Sequence, residues 1–114
     1  MNWNEQIVKI EVTIPLESVG DVRNAILNEG AGIIGNYTYC SVSTKCVGTF
    51  MPVDDAKPYI GEINKIEFVE EEKLEVVCDI NIAKIVLNKI REVHPYEEPV
   101  IIIIPLFNEE NFNK

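Results

Sequence analysis

The sequence holds a single histidine, three cysteines and no apolar run longer than residues 100–104, and each shortage removes a class of function. That run ends at Pro105 and is far below the roughly 20 residues a membrane-crossing helix needs, so no membrane partner is expected. Residues 1–10 lack the basic stretch and the continuous apolar stretch of a secretory leader, so the expected location is the cytoplasm. Cys40, Cys46 and Cys78 are an odd count and match neither a secreted disulfide framework nor a paired Cys-x-x-Cys zinc pattern, so reduced thiols are expected. Positive charge is scarce too. Ten Lys and Arg against nineteen Asp and Glu leave a formal charge of -9, which repels polyanions, so nucleic acid is not an expected partner.

What is present is enough for one compact domain. The 114 residues are 46% hydrophobic, which suits one core spanning residues 1–106 followed by a tail at 107–114. In residues 7–14, Val8, Ile10, Val12 and Ile14 alternate with Lys9, Glu11 and Thr13, the period of a strand with one buried side. The apolar spacing then changes to Val19, Val22 and Ile26, a helical stripe that Ser18 can cap and Gly30 can close.

The same order returns 64 positions later. Without a gap, Lys9 falls on Lys73, Glu11 on Glu75, Val12 on Val76, Val22 on Val86, Asn24 on Asn88 and Ile26 on Ile90. The second unit is therefore a strand over about 65–78 and a helix over about 81–93 with Ala83, Val86, Leu87 and Ile90 as its buried stripe. Pro95 ends that helix, and a last strand covers 100–104. Two β-α units, each followed by a further strand, make an α+β, ferredoxin-like βαβ-βαβ sandwich with both helices on one face. An extra hairpin is expected after strand two, with arms at 37–43 and 47–51 turning at Ser43, Thr44 and Lys45. A loop marked by Asp54, Asp55, Pro58 and Gly61 follows.

The last strand is apolar on both sides, so the sheet face away from the helices needs a cover. A symmetric oligomer packed sheet to sheet supplies one, and a tail folded back over the face is the alternative.

His94 lies in the string His94-Pro95-Tyr96-Glu97-Glu98-Pro99. An imidazole beside carboxylates can bind a divalent cation or move a proton, with His94 and Glu97 as the candidate ligands. A histidine at a helix C-terminus followed by two prolines is equally a structural stop. One histidine does not reach the about three protein ligands of a catalytic zinc. Across the expected hairpin, Cys40 and Cys46 can approach each other and hold a soft metal such as copper(I), or be small buried hydrophobes. The glycines at 30, 32 and 35 follow a helix and precede a strand, the reverse of a phosphate-binding loop. Glu67 and Glu70 to Glu72 read as a solvated acidic edge. No Ser-His-Asp constellation is recognisable.

Four strings carry a resemblance. Gly30-Ala31-Gly32-x-Ile34-Gly35-Asn36-Tyr37-x-x-Cys40-Ser41, Gly48-Thr49-Phe50-x-Pro52, Pro58-Tyr59-Ile60-Gly61 and the His94 string closely resemble the PII/CutA-like domain inserted in many bacterial members of the NGG-interacting-factor-three (Nif-three-like) family. The last string is also similar to CutA, the divalent-cation-tolerance protein. The resemblance implies a stand-alone PII/CutA-like module that forms a homotrimer and binds a small-molecule effector between subunits. It implies Asn36, Tyr37, Tyr59, His94, Tyr96 and Glu97 as cleft residues, and conformational change in 37–58 is left open. Full-length family members hold two metal ions in halves flanking the insert, so a non-enzymatic role with no cofactor is expected here. The alternative is a divalent-metal or copper-binding protein using His94, Glu97, Cys40 and Cys46.

Overall fold

In the computed structural model, which describes residues 6–107 and 109–112, the elements run β1 (Ile7–Pro15), α1 (Val19–Leu27), β2 (Val42–Phe50), β3 (Glu67–Asp79), α2 (Ile80–Val93) and β4 (Ile101–Leu106). Residues 1–5, where the absence of a leader was read, and residues 108, 113 and 114 of the tail lie outside the described residues. The sheet order is β2-β3-β1-β4, and every neighbouring pair is antiparallel. This is the ferredoxin-like α+β sandwich, with the two repeated strands, β1 and β3, at its centre.

The alternation in β1 does what its period requires. Val8, Ile10, Val12 and Ile14 are buried on the helix side, together with Leu74, Val76 and Cys78 of β3. Val19, Val22, Ile26 and Leu27 of α1 and Ala83, Val86 and Ile90 of α2 close over them, while Leu87 is half-buried. Each fully buried Val or Ile contributes roughly 1.5–3 kcal/mol, so this single layer dominates the stability of the domain.

The helix ends follow local chemistry. Asp79 caps α2, its side chain accepting from the Asn81 amide at 2.8 Å. His94 leaves helical geometry ahead of Pro95, as the proline ring requires. Ser18 makes no capping hydrogen bond from its side chain, contrary to expectation. A 3-10 turn, Leu16–Ser18, leads into α1 instead.

Residues 37–43 and 47–51 do not form two arms. Val42–Phe50 is one continuous edge strand, in which Ser43, Thr44 and Lys45 pair with Leu74, Lys73 and Glu72. No residue of that triplet takes the positive φ that the favoured two-residue hairpin turns use, and all three stay extended in a long ladder with β3 instead. The hairpin that extends the core is β2 with β3, joined through residues 51–66. It lengthens the molecule to 54 × 26 × 22 Å.

The sheet face away from the helices is less apolar than expected. Across its centre Lys9 Nζ meets Glu75 Oε1 at 3.0 Å and Glu11 Oε2 at 3.5 Å, and Lys73 Nζ lies 3.8 Å from Glu11 Oε1. Exposed apolar side chains are confined to the sheet's margins, with Val100 and Ile102 on one side and Val42 on the other. The described tail residues do not seal this face. Phe107 and Phe112 touch each other, with ring centroids 6.1 Å apart, and both stay exposed. No described helix is long and apolar enough to cross a membrane.

Candidate functional site

Where the β2–β3 arm leaves the body, the open face carries a cavity of about 520 Å³. Sheet residues Thr13, Cys46, Gly48, Glu71 and Lys73 line it from one side. Residues of the 51–61 excursion and the 96–100 segment line it from the other, among them Pro52, Pro58, Tyr59, Tyr96, Glu97 and Glu98. Phe50 and Met51 add apolar wall.

Tyr96 is the hub. Its hydroxyl donates to Glu71 Oε2 at 2.6 Å, and its ring centroid lies 6.1 Å from that of Phe50, 6.2 Å from that of Tyr59 and 4.8 Å from that of His94. Burial, with the Glu71 carboxylate accepting its hydrogen bond, drives the Tyr96 phenol well above the usual tyrosine range. The Tyr59 hydroxyl donates to Glu17 Oε1 at 2.9 Å, which raises its pKa also and ties the excursion to the turn before α1. A second tie is the Lys57 amide, donating to Glu97 Oε1 at 3.1 Å.

His94 stands behind this wall, not on it. Its Nδ1 accepts from the Tyr96 amide at 3.1 Å, which leaves Nε2 to donate to the Thr13 carbonyl at 2.8 Å. Both ring nitrogens are thus engaged in a neutral imidazole, and desolvation lowers its pKa below the ordinary histidine value.

Glu71 is the residue the sequence reading missed. Placed there in a solvated acidic edge, it is in fact only 5% exposed. Room for it comes from Gly48, where a Cβ would collide with Glu71 Oε1. The signal for it was weak: Glu71 shares strand parity with Lys73 and Glu75 on the open face, while Glu70 and Glu72 point the other way.

Of the expected cleft residues, Tyr59, Tyr96 and Glu97 come together on the cavity, with His94 supporting Tyr96. Asn36 and Tyr37 do not line it. Tyr37 closes a tight exposed turn with Ile34 through two backbone hydrogen bonds of 2.9 Å. Of the two thiols expected to face each other, Cys46 lines the cavity and Cys40 precedes β2, packed against Gly32, because the hairpin that was to pair them is a single strand. Burial and the Glu71 charge push the Cys46 thiol up.

No family model matches the chain. It is 40% identical over 104 residues to a "GTP cyclohydrolase 1 type 2 homolog" of Bacillus subtilis, spanning 91% of this chain and 28% of that protein. A protein of the same name from Halalkalibacterium halodurans is 42% identical over 106 residues, again with 28% of its length matched. The chain therefore spans little more than a quarter of the curated relatives it matches. Among solved structures, a Bacillus cereus protein related to NIF3 superposes with a TM-score of 0.78 at 34% identity, over 91% of this chain and 26% of that one. The divalent cation tolerance protein CutA of Archaeoglobus fulgidus superposes at 0.66 and 20% identity, over 94% of this chain and 92% of that one. The resemblance to the Nif-three-like insert thus holds in sequence and structure, and the CutA likeness holds in fold across nearly the whole of both chains.

Proposed function

We propose that this PII/CutA-like module is a non-enzymatic binding or regulatory unit that takes a small ligand in the cavity beside Tyr96 and assembles as a homotrimer. One observation carries the ligand reading. Three of the four strings that carry the resemblance to the Nif-three-like insert meet at this cavity, and the His94 string reaches it from more than thirty residues beyond the neighbouring pair at 48–52 and 58–61. Its volume falls within the roughly 300–1,000 Å³ of ordinary small-molecule sites. The reaction named for the relatives belongs to proteins of which this chain matches 28%, and His94 is committed to holding Tyr96.

Support for assembly comes from the edges. β2 leaves a nine-residue strand edge open, and Val42, Val47, Phe68 and Ile102 are exposed near the margins of the sheet. Closed rotational symmetry covers such edges without propagating into a fibre.

The competing reading, a divalent-metal or copper-binding protein, draws on Cys46 and Glu97 at the cavity. It has less geometric support, because both His94 nitrogens are engaged and, among the described residues, no three of His, Cys, Asp and Glu gather into a cage. A thermal-shift screen of metabolites at millimolar concentration tests the leading reading. A ligand of the native state raises the melting temperature, and a screen in which nothing does so overturns the reading.

A further inference from the structure

The charge inside the cavity is unbalanced. Three carboxylates line it, Glu71, Glu97 and Glu98, against one ammonium, Lys73, which already faces Glu11 at 3.8 Å. Glu71 is the unusual member, since it is only 5% exposed and its hydrogen-bond partner is the neutral hydroxyl of Tyr96, on Oε2. Oε1 lies where a Cβ on Gly48 would stand and accepts no hydrogen bond among the described residues. Oε1 is thus free to accept from a ligand, and a cationic donor makes that hydrogen bond a charge-assisted one. Around it stand the rings of Phe50, Tyr59 and Tyr96, whose faces attract cations and whose bodies accept apolar surface.

We propose, resting on the small-ligand reading above, that the cavity is built for a compact organic cation: an amine or amidine on a flat apolar body, with its N–H donors on Glu71 Oε1 and its body among the three rings. A bare divalent ion is the poorer occupant. It needs several oxygen ligands at once, and among the described residues no three acidic, histidine or cysteine groups are placed so that they could hold one metal ion together. Anions are disfavoured by the same three carboxylates.

The test compares three probes of one shape by titration calorimetry: 2-phenylethylammonium, neutral 2-phenylethanol and anionic 3-phenylpropionate. The ammonium binds more tightly than the alcohol by about tenfold or more, as a charge-assisted hydrogen bond predicts, and the anion does not compete. Glu71→Gln, which keeps shape and loses charge, brings ammonium and alcohol to equal affinity. Tyr96→Phe, which keeps the charge and frees Oε2, retains the ammonium preference. Should Glu71→Gln fail to fold, the ranking in the unmodified protein decides alone. An alcohol or anion binding as well as the ammonium overturns the cation assignment and leaves the small-ligand reading standing. Absence of binding by all three overturns the assignment too, and the metabolite screen then tests the broader reading separately.

Discussion

The Tyr96 hydroxyl and the Glu71 carboxylate meet at 2.6 Å across 25 residues of sequence, joining the segment after α2 to the middle of β3. His94 orients the tyrosine from behind through the Tyr96 amide, and is itself held on the Thr13 carbonyl of β1. The cavity wall is therefore anchored on both central strands.

Removing the hydroxyl leaves a buried carboxylate without its donor. Tyr96→Phe is expected to cost about 1–3 kcal/mol in urea unfolding. In a double-mutant cycle with Glu71→Ala, the combined loss is smaller than the sum of the two single losses, because each removes the same contact. Strict additivity of the two would mean that the contact contributes nothing.

Acid should act through His94. Its pKa in the fold is lowered from 6.5 by desolvation, partly opposed by the Thr13 carbonyl and the Glu71 charge. A lowered histidine pKa means that the unfolded chain binds the proton first, so stability is full above about 6.5 and falls as pH drops below it. A protonated ring also cannot accept from the Tyr96 amide. Urea midpoints measured downward from neutral pH should decline, with the Tyr96 contacts loosening in the same range, and His94→Gln should flatten the decline.

Base should act through Cys78 and Tyr96. Burial raises the Cys78 thiol from 9.0 to about 11, and the Asp79 charge adds to the effect. Both groups are raised, so the stability they contribute is present below their ordinary values and lost as pH climbs through the folded ones. Cys78→Ala, though less stable overall, should show a shallower alkaline decline than the unmodified chain.

Two glycines should respond oppositely to the same change. Gly20 sits in α1 with nothing within 4 Å of where an added methyl group would stand, so Gly20→Ala should stabilise by about 0.5–1 kcal/mol through helix propensity. Gly32 has φ +74°, and a Cβ there would collide with the Cys40 carbonyl. Gly32→Ala should therefore destabilise by about 1–3 kcal/mol or more, read from the melting temperature.

Most of the fold was legible because burial is one-sided. β1, β3 and both helices each press one stripe into the core, and a one-sided stripe writes its period into the sequence at 2 or 3.6. β2 was not legible, because Ser43, Thr44 and Lys45 are exposed and their order depends on β3, a partner strand distant in sequence. Glu71 was hidden for the same kind of reason. What buries it is Gly48 from β2 and Tyr96 from beyond α2, and neither proximity is written locally. The site was half legible: Tyr59, Tyr96 and Glu97 came from resemblance, while the carboxylate they surround came only from the structure. The resemblance to an inserted domain also has a geometric counterpart, since Ile7 at the start of β1 pairs with Leu106 at the end of β4. Adjacent ends let a unit of this kind sit within a longer chain.

Assembly is tested by light scattering. The trimer reading expects a mass near three times the 12.9 kDa of one chain, and a value near one chain contradicts it.

The central claim is that the cavity around Tyr96 and Glu71 is a ligand site. Its most direct test is an amide NMR spectrum recorded with each stabilising compound from the metabolite screen. Shifts centred on Gly48, Tyr59, Glu71 and Tyr96 are the predicted result, and compounds that bind while leaving those four amides unmoved would contradict it.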